Sequence, residues 1–97
     1  MSEVRPKRKM DWVGLVCETT TTLQNGMAVM PRGTTVLVES WGPGARIVSR
    51  PCSDCGVSVR VSRVSDRDLH PIRRVYQPER RGDSVPYALR DSSWWVG

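Results

Sequence analysis

Fourteen valines in 97 residues, set in short runs that alternate with polar residues and never at helical spacing, constrain this chain more than any other feature. β-Branched side chains lose rotamer freedom in a helix and fit a pleated surface, so the fold class read from the sequence is all-β. Four Trp, two Tyr and no Phe leave material for one small domain with a limited core, which argues against most enzyme architectures. No apolar run approaches the ~20 residues of a membrane helix, and no membrane partner is expected. The opening MSEVRPKRKM leads into no apolar stretch of signal-peptide length, so the expected location is the cytoplasm.

The strands can be marked by alternation. Val13, Leu15 and Cys17 alternate with Trp12, Gly14 and Val16, and this first strand runs into a polar loop beginning at Thr19. Asn25-Gly26 is a turn signal because both residues tolerate positive φ. Met27 to Met30 reads as a short strand, Pro31-Arg32-Gly33 as a tight turn, and Thr34 to Trp41 as a longer strand ended by Gly42-Pro43-Gly44. Ala45 to Arg50 and Val57 to Ser65 form a hairpin across the loop PCSDCG. Asp66 to Leu69 reads as one 3₁₀ turn, and Ile72 to Val75 as a last short strand. The expected core joins Val13, Leu15, Val36, Val38, Ile47, Val57, Val59, Val61 and Leu69. Beyond Val75, Pro78, Gly82 and Pro86 among scattered charges mark an extended tail, with room for one helical turn near Pro86 to Asp91.

That order resembles the SH3-like small β-barrel. The segment VSRVSDRDLHPI (Val61 to Ile72) is similar to the junction of fourth strand, 3₁₀ turn and fifth strand in such barrels. MPRGTTVLV (Met30 to Val38) is similar to the proline-glycine turn that leads into a barrel strand in KOW-like and tudor-like modules. The resemblance covers about two-thirds of the chain and implies a single barrel over residues 11–75, a basic arm over 1–10 and an extended tail over 76–97. It also implies a binding role, since the family's ligands are RNA, DNA, methylated tails and proline-rich peptides. TTTTLQNG (Thr19 to Gly26) departs from peptide-binding SH3 domains, which carry an acidic loop and paired aromatics there.

The formal net charge of +5 is unevenly spread. Arg5, Lys7, Arg8 and Lys9 outweigh Glu3 at the start, and Arg73, Arg74, Arg80, Arg81 and Arg90 outweigh Glu79, Asp83 and Asp91 at the end. Between Asp11 and Ile72 acids and arginines balance, so the excess belongs to the tails, where it serves solubility or attracts a phosphate backbone. On the expected hairpin Arg46, Arg50 and Arg60 share a face with Ser58 and Ser62. Trp12 and Trp41 nearby add stacking surfaces, and the alternative is an ordinary solvated sheet face.

Cys52-Ser-Asp-Cys55-Gly56 is the sharpest motif. It reads as half a zinc site, a redox disulfide or a reduced turn. Completing a tetrahedron needs Cys17 and His70, and a barrel puts His70 roughly 25 Å from the loop at the rise of an extended strand, so no bound metal and no cofactor are expected. A sole histidine anchors no acid–base pair, and no catalytic residue is assigned. Trp94 and Trp95 either fold back on the barrel or dock on a partner as anchor residues.

The resulting expectation is a non-enzymatic module that engages nucleic acid or a nucleoprotein complex, with Arg5, Lys7, Arg8, Lys9, Arg46, Arg50 and Arg60 as contacts and no small-molecule substrate. The alternative is a small mobile-element (phage-type) protein that inhibits a host defence complex, such as a CRISPR effector, by protein contact through Trp41, Trp94 and Trp95.

Overall fold

A computed structural model describes residues 6–96 of the chain; Arg5 of the expected basic arm lies outside them. Strands β1 (Leu15–Thr19), β2 (Leu23–Asn25), β3 (Ala28–Met30), β4 (Thr35–Trp41), β5 (Ala45–Ser49), β6 (Arg60–Val64) and β7 (Leu69–Arg74) make two antiparallel sheets. One has the order β6-β5-β4-β1-β7, and the other is the β2–β3 hairpin. Helical structure is limited to 3₁₀ turns at Lys9–Trp12 and Asp66–Asp68 and one α-helical turn, α1, at Tyr87–Arg90. No helix among the described residues is long and apolar enough to cross a membrane.

Local chemistry sets the boundaries. Gly26 turns β2 into β3 with φ near +61°, where the Asn-Gly pair predicted a turn. Buried Thr19 pins the Pro31-Arg32-Gly33 turn to β1: its hydroxyl donates to the Pro31 carbonyl at 2.9 Å and accepts the Thr34 N–H at 3.0 Å. Ser65 caps the second 3₁₀ turn by accepting the Arg67 N–H.

The register slips at three places, each a bulge that increases twist. At the β5–β6 slip Arg63 has φ near +58°, and a Cβ on Gly44 would come within 2.7 Å of the Arg63 Cα. Only glycine lets the two backbones approach there.

The all-β expectation holds, but no closed barrel forms. β6 and β7 are the two edges of the sheet, and no ladder joins them among the described residues. The outer side of β6 meets the β2–β3 hairpin instead, where the Asn25 side-chain amide donates to the Arg60 carbonyl at 2.6 Å.

The core also differs from the single valine face expected. Leu15, Cys17, Met30, Val36, Val38, Ala45, Ile47, Val61, Val64 and Leu69 pack with Trp12 on one face of the sheet. Val13, Val16, Leu37 and Val48 pack on the opposite face, against Val85 and Trp94. Val75 and residues 76–95, the latter read as an extended tail, therefore form a second layer that buries β1, β4 and β5 on both faces. The small chain needs that layer, since one face of a five-stranded sheet buries too little apolar surface for its length. Val59 is half-buried and Val57 is 61% exposed. The ladder ends early because the Val59 N–H turns to the Ser49 side-chain hydroxyl at 2.8 Å instead of a backbone carbonyl, and the Val57 carbonyl is taken by the Cys52 N–H at 3.0 Å within the loop.

Two substitutions test this layering by urea unfolding. Trp94→Ala should cost about 3–5 kcal/mol, as expected for emptying a buried aromatic site. Val57→Asp should stay within about 0.5 kcal/mol, as on a surface.

Candidate functional site

The second layer is fastened by a carboxylate. Val38 pairs with Ile47 and Ser40 with Arg46, so Glu39 is the extra residue of the β4 bulge. It is 1% exposed. Its Oε1 accepts from Arg60 Nε at 3.1 Å, and its Oε2 pairs with Arg90 Nη1 at 3.0 Å. Its carbonyl, outside the ladder, accepts the Val85 N–H at 2.9 Å. Arg90 Nε in turn donates to the Val85 carbonyl at 2.8 Å, and its guanidinium lies 4.7 Å from the Tyr87 ring centroid.

Other tail arginines are similarly engaged. Arg73 Nη2 donates to the carbonyl of Trp94 and, at 3.0 Å, to that of Val96. Arg74 Nη1 donates to the carbonyls of Val13 and Tyr76, both at 3.0 Å, while its Nη2 reaches Asp11. Charges read as belonging to a flexible arm thus satisfy backbone acceptors within the fold.

The expected arginine face is divided. Arg60 lies beside the second layer, in a hollow shared with Val48, Arg90, Trp94 and Trp95. Arg50 borders a groove of about 380 Å³ between the β3 turn and the PCSDCG loop, lined by Val29, Met30, Pro31, Pro51 and Val57. Arg46 sits at the far end of β5, beside Trp41. Trp94 is 4% exposed and meets Trp95 edge to face, with ring centroids 5.4 Å apart. The structure places Trp94 in the intramolecular layer, and Trp95 half-buried against it.

Trp41 gathers the cations instead. Its ring packs 6.1 Å from that of Trp12 and touches both core clusters. Three adjoining hollows meet at it. Lys9 and Arg81 border the first, Lys9 and Arg63 the second, and Arg46 and Arg63 the third. These four cations are exposed and come from the first 3₁₀ turn, β5, the β6 bulge and the loop after β7. Asp66 and Asp83 also border the hollows. Asp83 Oδ2 accepts the N–H groups of Glu79 and Arg80 at 2.9 and 3.1 Å. Within this rim Trp41 Nε1 is buried without an acceptor among the described residues, an arrangement native proteins rarely leave unexplained. Lys7 and Arg8, both exposed, lead into the Lys9 side.

Sequence reading found Lys9, Arg46 and Trp41 but not their companions Arg63 and Arg81. Neither stands in a motif: Arg63 is aimed by a bulge, and Arg81 is brought in by the folding back of its loop.

Cys52 and Cys55 are exposed thiols at the hairpin tip, whereas Cys17 is buried in the first core cluster. Among the described residues no group of three or more His, Cys, Asp or Glu side chains could hold a metal ion. His70 stands opposite Glu18 across the β1–β7 ladder, next to Pro71. Comparison with protein-family models, curated proteins and solved structures finds no match.

The Glu39 clamp yields a graded prediction for denaturant unfolding. Glu39→Gln should cost about 3 kcal/mol, the lower end for breaking a buried ion pair, because Arg60 is half in solvent. Arg60→Ala should cost about 1 kcal/mol. Arg90→Ala should fall between them or above, since it also releases the Val85 carbonyl.

Proposed function

We propose that this chain is a non-catalytic binding module with an SH3-like arrangement of strands, which engages nucleic acid or a nucleoprotein complex through the cationic rim around Trp41 and the basic N-terminal arm. The strand order supports the fold reading. A first strand is followed by an inserted hairpin, a three-strand meander and a 3₁₀ turn, and the closing strand returns beside the first, as in SH3-like small barrels.

The observation that carries the functional reading is the convergence of Lys9, Arg46, Arg63 and Arg81 on one aromatic side chain. The fold brings four like charges from distant segments to one end of the sheet, where Asp66 and Asp83 offset only part of the charge and an anion would screen the rest. A polyanion offers phosphates at intervals that such a rim can span, and the part-exposed Trp41 offers a stacking surface for a base. The protein-contact alternative relied on Trp41, Trp94 and Trp95, and of these Trp94 already fills a site within the chain.

Fluorescence anisotropy with a short single strand and a short duplex, across a salt series, tests the proposal. Binding should weaken steeply with salt, and replacing Lys9, Arg46, Arg63 and Arg81 by Gln should flatten the slope by roughly one for each phosphate that is no longer neutralised. The control Arg32→Gln with Arg67→Gln should change it little. Weak binding of both probes at every salt concentration, or equal loss in the control, would overturn the assignment and favour a protein target.

A further inference from the structure

The loop from Arg50 to Val59 is held in shape by its own backbone. The Gly56 N–H donates to the Cys52 carbonyl at 2.8 Å, and the Cys52 N–H donates to the Val57 carbonyl at 3.0 Å. Gly56 makes this tight return with φ near +72° and open space where a Cβ would stand. The fold thereby places two exposed thiols, separated by two residues, on one tight turn at the hairpin tip.

We propose that Cys52 and Cys55 form a reversible dithiol–disulfide couple that exchanges with low-molecular-weight disulfides, with Cys52 as the attacking sulfur and Cys55 as the resolving one. The Cys52 thiolate attacks one sulfur of a disulfide RSSR, forms a mixed disulfide and expels RS⁻. The Cys55 thiolate then attacks the Cys52 sulfur, closes the intramolecular disulfide and expels the second RS⁻. Two protein thiols are oxidised and one RSSR is reduced to two RSH, with the two thiol protons ending on the leaving groups.

The tight turn sets the roles: it opens at Cys52, whose carbonyl accepts the Gly56 N–H, and the backbone N–H groups of Cys55 first and Asp54 next pull the Cys52 thiol below its ordinary value. A thiolate at neutral pH is the nucleophile in exchange, and a neighbouring thiol resolves it before a second external thiol arrives. Cys52 also borders the apolar groove with Val29, Met30 and Pro31, so closing the disulfide alters a wall of that groove. The couple is complete within one chain, whereas a metal site on the same two sulfurs would need ligands from another molecule. Buried Cys17, in the first core cluster, serves as an unreactive internal standard.

The full-length reduced protein, equilibrated in buffers of varied reduced-to-oxidised glutathione ratio, acid-quenched and alkylated, provides the test by mass spectrometry. The wild type should lose two hydrogens, mapped to the peptide holding both cysteines, without accumulating a glutathione adduct. Cys55→Ser should trap one glutathione on Cys52, and Cys52→Ser should form the corresponding adduct on Cys55 more slowly at neutral pH. Both serine variants should melt with the wild type, because the sulfurs lie in solvent. A wild type that accumulates the mixed disulfide without closing, or cysteines that react at equal rates, would overturn the proposal. Zinc retained through purification and lost in both serine variants would also overturn it, because the sulfurs would then be metal ligands.

Discussion

A carboxylate with almost no access to solvent, held between guanidinium groups from two separate segments, organises this molecule. Glu39 stands on the second face of β4 because a bulge inserts it there. Its buried charge would be prohibitive alone and is offset chiefly by Arg90, with half-exposed Arg60 adding a smaller share. Arg90 belongs to the segment that carries Val85 and Trp94, so the ion pair and the second apolar layer form together or not at all. The Val85 N–H completes the attachment on the Glu39 carbonyl. Removing either half exposes the other: without the layer, Val13, Val16, Leu37 and Val48 face water, and without the carboxylate the layer loses its polar anchor.

This arrangement sorts the arginines into two groups. Arg60, Arg73, Arg74 and Arg90 satisfy a buried carboxylate or backbone carbonyls and hold the chain's end against the sheet. Lys9, Arg46, Arg63 and Arg81 instead face solvent around Trp41. The net positive charge of the sequence is therefore a poor measure of what a partner would meet. The rim concentrates its cations at one end, beside a half-buried indole whose N–H has no acceptor among the described residues.

Much of the local architecture was legible in the residues. Asn25-Gly26 and Pro31-Arg32-Gly33 specify turns through φ preferences that act over two or three residues. Asp66 to Asp68 forms its 3₁₀ turn under a Ser65 cap, and a helical turn falls at Tyr87–Arg90, close to where Pro86 permits a start. The CxxC loop sits at a hairpin tip, as its proline and glycine suggest. Alternation failed where burial is two-sided: Val13 and Leu15 are spaced to share one core, yet they belong to opposite faces. It failed again at Val57, where loop hydrogen bonds ended the ladder before the valine run did.

The β class and the turns follow from residue order, because each depends on backbone preferences of neighbouring residues; strand β2 at Leu23–Asn25, read as loop, and the start of β7 at Leu69 rather than Ile72 do not. Only long-range packing decided that the sheet has two buried faces, that a charged tail becomes a packed layer and that Glu39 goes inside. It also decided that Arg63 and Arg81 join Lys9 and Arg46 around Trp41. These outcomes depend on where distant segments meet, and that is set by bulges that turn side chains and by apolar area that must be covered. Neither leaves a periodic trace along the chain.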